Sequence, residues 1–594
     1  MKNRFERSLS ILFAVVFFAM PISVFASSFD SSIEVRRTKL DNGLQQKLKA
    51  TASNEKIPVY IWTNDLSESD LEAETARRTG LTKQTITPVE TQELPADYFD
   101  PELPQQQYRE RAEMYLEATK AQRELEQKLT DTYIDTKRQV AREKYTAMHQ
   151  SDLAILGLDQ EDVMFSSQYA PMMIAVLTPD QIDRITRYSQ VESVQRCWEA
   201  ESEPQDQSLA TSLASVDANY TRDTLGFTGN GVKVGQLESG TPNPSHNQLK
   251  SGNITRLQTN TSDHATMVAR IMLGTVGVAP DTRLVSAAQG GSFASFYERT
   301  EALIDKGVKV INMSFGWTRE GDMYWGVERW IDHVAVQHQV TIVKSSGNDG
   351  TSSNISAPGL AYNIITVGGI NDKNTTNKND DVLYTASASA NGGTAGCAKP
   401  DFLAPAQSVI DGVSGTSFAA PIVTGIIAQM LEFRPSLATN PALIKAILTA
   451  SCDRKVTSET LAAGLTAVEG AGVVNAKKAI SLISQNRYTT YVQTSDTMNR
   501  SLNVTSSDVV IRVALAWNRF NRVGTHTSGS VTTGPYVNYS LYVLKPGGAQ
   551  AGKSTIPTSS VELVHLNRPA AGTYTIRVTK PAGTGQGNVA LAWW

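Results

Sequence analysis

Between residues 228 and 485, short apolar runs alternate with helical stretches, and this alternation restricts the fold more than any other feature of the chain. The runs lie at 232–237, 283–287, 308–312, 340–344 and 364–367. Strand and helix repeating in this way imply a parallel sheet with helices on both faces. In such sheets the reacting groups gather at the carboxyl ends of the strands.

The pattern differs on either side. Only Gly43, Gly80 and Gly157 precede residue 200, out of 41 glycines in the chain, so a turn-rich architecture starts near residue 205. The stretch 199–207 is acidic and polar, and reads as an exposed linker open to proteolysis. Before it, strands are expected at 59–62, 164–167, 172–177 and 191–194, with helices at 68–78 and 179–188. Residues 105–150 are highly charged and lack Gly and Pro, which predicts one long helix or a helical hairpin spliced into a small α+β unit. From about 487 onward, period-two runs at 509–517 and 573–579 sit between Gly-, Ser-, Thr- and Pro-rich loops, the pattern of a β-sandwich. The expected division is 1–26, 27–205, 206–486 and 487–594.

The first segment reads as a secretory signal. Lys2, Arg4 and Arg7 precede an apolar run at 11–20, and Val24-Phe-Ala26 offers a cleavage point after Ala26. As a membrane anchor the run is short, since a span needs about 20 residues, and Pro21 interrupts it. The expected location is therefore extracellular, with no membrane span in the mature form. The net charge of −4 gives no electrostatic reason to expect nucleic acid as a partner. Three cysteines, Cys197, Cys397 and Cys452, leave a Cys397–Cys452 bridge open beside three unpaired thiols.

The chemistry centres on the octapeptide SGTSFAAP at 414–421. A Gly-containing turn runs into an apolar helix at 422–431 and places the Ser417 hydroxyl at a helix N-terminus, where backbone N–H groups favour developing negative charge. Pro421 is read as part of that helix's first turn. A serine nucleophile needs a base. Of seven histidines, His264 also opens a helix, in DHATMVAR at 263–270. Acyl transfer needs donors for the oxyanion, and the turn SSGN at 345–348 would present the Asn348 amide.

The set SGTSFAAP, HATMVA, GVAP, VINMSFG, SSGN and KPDFLAP, in their places between about 228 and 450, resembles the subtilisin-like serine proteases. The resemblance implies an acid–His–Ser triad in that chain order. Ser417 would attack the peptide carbonyl, His264 would carry the proton, and Asn348 with the Ser417 N–H would hold the oxyanion. Ser314, Phe315 and Gly316 would bind substrate as an edge strand, with Gly347 beside them. The N-terminal α+β unit resembles the family's propeptide, an intramolecular inhibitor and folding aid, with cleavage expected at 197–208. The product would be a secreted, self-processing endopeptidase acting on protein or peptide substrates without a required cofactor.

The sequence departs from the family in three places. Glu238 stands where the family has Asp, which leaves Glu238 and Asp263 as candidates for the acid. Ala265 and Met267 replace a Gly and a second His. The turn before Gly277-Val-Ala-Pro280 is short where many members carry a calcium loop, so structural calcium is not indicated. Two other readings stay open: a pseudoprotease disabled by Glu238 and serving as a binding module, and a non-protease hydrolase using the same residues.

Overall fold

The computed structural model describes residues 39–40, 42–83, 85–86, 105–196, 209–318, 324, 326–351, 354–389, 398–457, 464–504, 510–519, 537–557, 559–581 and 587–594. The signal sequence, the 199–207 linker, the cleavage window at 197–208, Cys197 and Cys397 lie outside them.

The alternation in the middle of the chain folds into an eight-stranded sheet. Its order is Val382–Leu383, Ile365–Asn371, Thr341–Ser345, Val310–Met313, Lys233–Glu238, Arg283–Ala288, Ile254–Arg256, with Phe402–Pro405 also beside Ile365–Asn371. All pairings are parallel except that of Val382–Leu383. The chain passes from Lys233–Glu238 to neighbours on one side, then crosses to Val310–Met313 on the other. That reversal opens a crevice at the carboxyl end of Lys233–Glu238, the place where α/β sheets bind ligands. Helix Thr416–Phe433 is buried along its whole length behind this crevice. Among the described residues it is the one helix long and apolar enough to cross a bilayer, and it is a core helix.

The N-terminal unit has the expected strands and helices in order, preceded by a helix, Asn42–Ala50, that the sequence pattern did not mark. Strands Ile57–Thr63, Val163–Ser166, Met172–Leu177 and Val191–Arg196 form an antiparallel sheet, with helix Pro179–Ile185 opened by a capping box from Thr178 and Gln181. The hairpin alternative is corrected. Gln105–Leu156 is one helix of 52 residues, about 78 Å long at 1.5 Å per residue. Nothing in that stretch could turn the chain, because it lacks Gly and Pro.

This helix lies against the central unit. Tyr133 and Ile134 are buried in the apolar cluster of the central unit, while Val140, Ala141 and Tyr145 are buried with Leu71 of helix Glu68–Thr79. Arg138 is buried among three carbonyls of the central unit, donating to His338 O (2.9 Å), Ile304 O (3.2 Å) and Val308 O (2.9 Å). Further along, Glu126 accepts from Ser436 N (2.9 Å), and the rings of Tyr115 and Phe433 stand 5.9 Å apart. Arg138→Ala would strand the three carbonyls. It is expected to lower the stability of the full chain by about 3–5 kcal/mol in urea denaturation; a loss below about 1 kcal/mol would mean that water replaces the guanidinium at little cost.

The C-terminal region is a sandwich of two antiparallel four-stranded sheets. Its strand Ile511–Trp517 docks on helix Pro441–Ser451. There Arg512 donates to Thr449 O (3.1 Å) and Ala450 O (3.2 Å), two carbonyls of the helix's last turn, and to Ala471 O (3.0 Å) beyond it. One apolar cluster joins the three regions, since Ile86, Tyr133 and Ile134 share it with Phe418, Ile426, Ala514 and Ala590. Tyr539 is buried in the sandwich core. Cys452 is a free, buried thiol that donates to Leu448 O; its candidate partner Cys397 lies outside the described residues.

Candidate active site

Each chemical group sits where a strand or helix ends. Glu238 is the last residue of its strand and is fully buried. A buried carboxylate is costly unless its oxygens are satisfied, and both are. Oε1 accepts from Ser314 N (2.9 Å), and Oε2 lies 3.0 Å from His264 Nδ1.

His264 occupies the second position of helix Asp263–Leu273. Ser262 caps that helix by accepting from Ala265 N (3.3 Å), and Ala265, Val268, Ala269, Ile271 and Met272 bury its apolar face. Asp263 opens the same helix and is exposed. Of the two candidate carboxylates, Glu238 is the one against the ring. Burial alone would push the His264 pKa down. The Glu238 charge and its hydrogen bond outweigh burial and hold it above the ordinary value of 6.5.

Ser417 occupies the second position of helix Thr416–Phe433, so its N–H belongs to the first turn, which has no partner within the helix. The ring of neighbouring Phe418 stands 5.5 Å from that of His264, which brings the two helix starts together. In this state the Ser417 hydroxyl donates to Ser314 O (3.0 Å). The expectation for Pro421 is corrected here. The helix begins at Thr416, so Pro421 lies inside it. Proline has no N–H to offer the carbonyl four residues back. That carbonyl belongs to Ser417, and Ser314 Oγ donates to it instead (2.6 Å). Asn312 Nδ2 in turn donates to Ser314 Oγ (2.8 Å).

Ser314, expected on a substrate-binding strand, thus braces both Glu238 and Ser417. Phe315 is buried among aromatics, 6.1 Å from Phe296 and 5.6 Å from Trp317. Gly316 and Gly347 are half-buried and Asn348 is exposed. Asn348 Oδ1 accepts from Thr416 N (2.9 Å) and Thr416 Oγ1 (3.0 Å), which leaves its NH₂ as the donor on the open side. Gly347 N also donates to Thr416 Oγ1 (3.1 Å). Gly415 makes this approach possible. Its φ is +151°, and a Cβ there would meet Asn348 Nδ2 at 3.4 Å. Thr416 and Ser314 are the residues that sequence reasoning missed as organisers. Both lie inside motifs already singled out, and nothing in a motif's spelling tells which hydroxyl faces inward.

The turn after helix Asp263–Leu273 folds back on it, with Val278 N donating to Ile271 O (2.9 Å) and Ala279 N to Met272 O (2.7 Å). Among the described residues no group of three His, Cys, Asp or Glu side chains could hold a metal ion.

Chemically, the arrangement offers a hydroxyl at a helix start, an imidazole oriented by a buried carboxylate, and amide donors on the open side. The model of the subtilase family matches residues 157–474. The chain is 29% identical over 247 residues to serine protease AprX of Bacillus subtilis (strain 168), covering 34% of this chain and 52% of that protein, so it spans about half of AprX. It is 25% identical over 335 residues to alkaline elastase YaB of Bacillus sp. (strain YaB), covering 52% and 80%. Among solved structures, fervidolysin from Fervidobacterium pennivorans covers 73% of this chain and 69% of its own at a TM-score of 0.44 and 16% identity.

Proposed function

The chain belongs to the subtilase family, and from that membership we propose that it is a serine endopeptidase, exported and made as a self-processing zymogen. The observation that carries the reading is the buried Glu238 carboxylate 3.0 Å from His264 Nδ1. It fixes the tautomer with its proton on Nδ1 and leaves Nε2 able to accept.

In this reading the Ser417 hydroxyl turns from Ser314 O to His264 Nε2 as substrate enters. Oγ bonds to the peptide carbonyl carbon while Nε2 takes its proton. The carbonyl oxygen becomes an oxyanion held by the Asn348 NH₂ and the Ser417 N–H. Collapse breaks the C–N bond, and the imidazolium protonates the leaving amine. Water, deprotonated by the same imidazole, then releases the acyl group from Ser417.

Export rests on the charged and apolar pattern of residues 1–26. Self-processing rests on the linker at 199–207 and the separate α+β unit before it. The pseudoprotease alternative gains nothing from Glu238, since the longer carboxylate reaches the imidazole. The test is incubation of the expressed chain with a fluorophosphonate probe and with casein. Labelling of Ser417 and hydrolysis of casein are expected; neither occurring would sink the enzyme reading. Asn348→Ala is expected to lower kcat by about 10²–10³ with KM little changed, a magnitude established for such a donor in a subtilisin. A kcat within a few-fold of wild type would remove Asn348 from the oxyanion site.

A further inference from the structure

Two buried polar residues behind the triad have no step of their own in the mechanism above. Asn312 lies in strand Val310–Met313, and Ser314 directly follows that strand. Ser314 directs every polar group it has at the reacting residues. Its N–H donates to Glu238 Oε1 (2.9 Å), its hydroxyl donates to Ser417 O (2.6 Å), and its carbonyl accepts from Ser417 Oγ (3.0 Å). Asn312 Nδ2 donates to Ser314 Oγ (2.8 Å), which leaves the one hydroxyl proton to point at Ser417 O. The Asn312 amide is held in turn, since Thr424 Oγ1 lies 3.1 Å from Asn312 Oδ1, about two turns along the Ser417 helix.

Pro421 makes this arrangement possible. With an N–H at position 421 the helix would close on Ser417 O by itself. The turn that carries the nucleophile would then be tied only to its own helix. Pro421 withholds that N–H, and the carbonyl takes a hydroxyl from the residue that also holds the acid. The consequence is for proton transfer. As substrate enters, Ser417 Oγ leaves Ser314 O for His264 Nε2. The ring is fixed by Glu238, Glu238 by the Ser314 N–H, and the Ser417 backbone by the Ser314 hydroxyl. Both ends of the transfer are thus referred to one residue, and the Ser417 hydroxyl swings about a backbone that stays in place. The same turn carries the Ser417 N–H that faces the oxyanion, so a shift of it displaces nucleophile and donor together. A misplacement of about 1 Å costs about 10² in rate.

We infer that Ser314, oriented by Asn312, is a positioning residue that couples the nucleophile to the acid, and that Pro421 serves the reaction by leaving the Ser417 carbonyl to it; the inference rests on the endopeptidase reading. Satisfying a buried carbonyl does not by itself account for the arrangement. Any other residue at 421 would satisfy Ser417 O from within the helix, whereas a proline in a helix interior costs about 3 kcal/mol or more. What the proline adds is a link between two chain segments that meet only at the reacting centre.

The experiment compares wild type, Ser314→Ala, Asn312→Ala and the double variant Ser314→Ala/Pro421→Ala. For each it measures the urea midpoint, kcat and KM on one chromogenic peptide, and the rate at which a fluorophosphonate labels Ser417. Ser314→Ala is expected to lower the urea midpoint, and to lower kcat and the labelling rate about 10–100-fold with KM within a few-fold of wild type. Asn312→Ala should act in the same direction by less. In the double variant the helix N–H takes the Ser417 carbonyl, so the urea midpoint should recover while kcat stays about 10–100-fold down. The acid limb of the kcat/KM–pH profile should not move in Ser314→Ala, because the N–H on Glu238 is backbone and is kept. Recovery of kcat together with stability in the double variant, or a wild-type kcat in Ser314→Ala, overturns this inference alone. Wild type that neither labels nor cleaves overturns the endopeptidase reading and this inference with it. If Ser314→Ala does not fold, the double variant, in which the carbonyl is satisfied, still decides.

Discussion

Ser417→Ala is expected to leave the full-length chain uncut between 197 and 208 and to lower peptide hydrolysis by about 10⁶, the loss measured when a subtilisin loses its nucleophile. No neighbouring hydroxyl can substitute. Thr416 Oγ1 is held between Gly347 and Asn348. Ser314 Oγ donates to Ser417 O and accepts from Asn312. The mass of the purified chain and its casein hydrolysis read the two effects. A variant that still processes itself would place the nucleophile elsewhere.

Glu238→Gln is expected to lower kcat by about 10⁴ without unfolding the protein. The carboxylate accepts from two donors, Ser314 N and His264 Nδ1–H. An amide has one oxygen to divide between them. If that oxygen keeps Ser314 N, the NH₂ faces His264 and moves the ring proton to Nε2, where it blocks acceptance from Ser417. Activity requires neutral His264, so in wild type kcat/KM falls as pH drops through a pKa held above 6.5. In the variant, burial acts unopposed and that acid limb moves to lower pH. The stability linkage runs the other way. A raised histidine pKa gives stability that is full below the unfolded value and is lost as pH rises through the folded one. An unshifted acid limb in Glu238→Gln, with Asp263→Asn inactive instead, would name the wrong carboxylate.

Much of this was legible in the residues. The five apolar runs read as strands all became strands of the large sheet, because buried parallel strands carry an apolar pattern that neighbours cannot override. The starts of the Ser417 and His264 helices were legible because helix entries have local chemistry, in turns and caps. Pro421 was misplaced because its preference for a first turn is statistical. Here the lost hydrogen bond is supplied by Ser314 from a distant strand, which spacing does not encode. The docking of the long helix was illegible for the same cause, since the contacts of Arg138 lie 166, 170 and 200 residues further on.

Those separations also set a schedule. A chain emerging at about 5–20 residues per second exposes Arg138 roughly 10–40 s before the carbonyls it will hold. Helix formation takes about a microsecond. The helix that carries the guanidinium therefore has time to form before residues 304, 308 and 338 arrive. For the slow, non-local parallel sheet that follows, three of the backbone carbonyls it must satisfy have a donor that was synthesised earlier in the same chain.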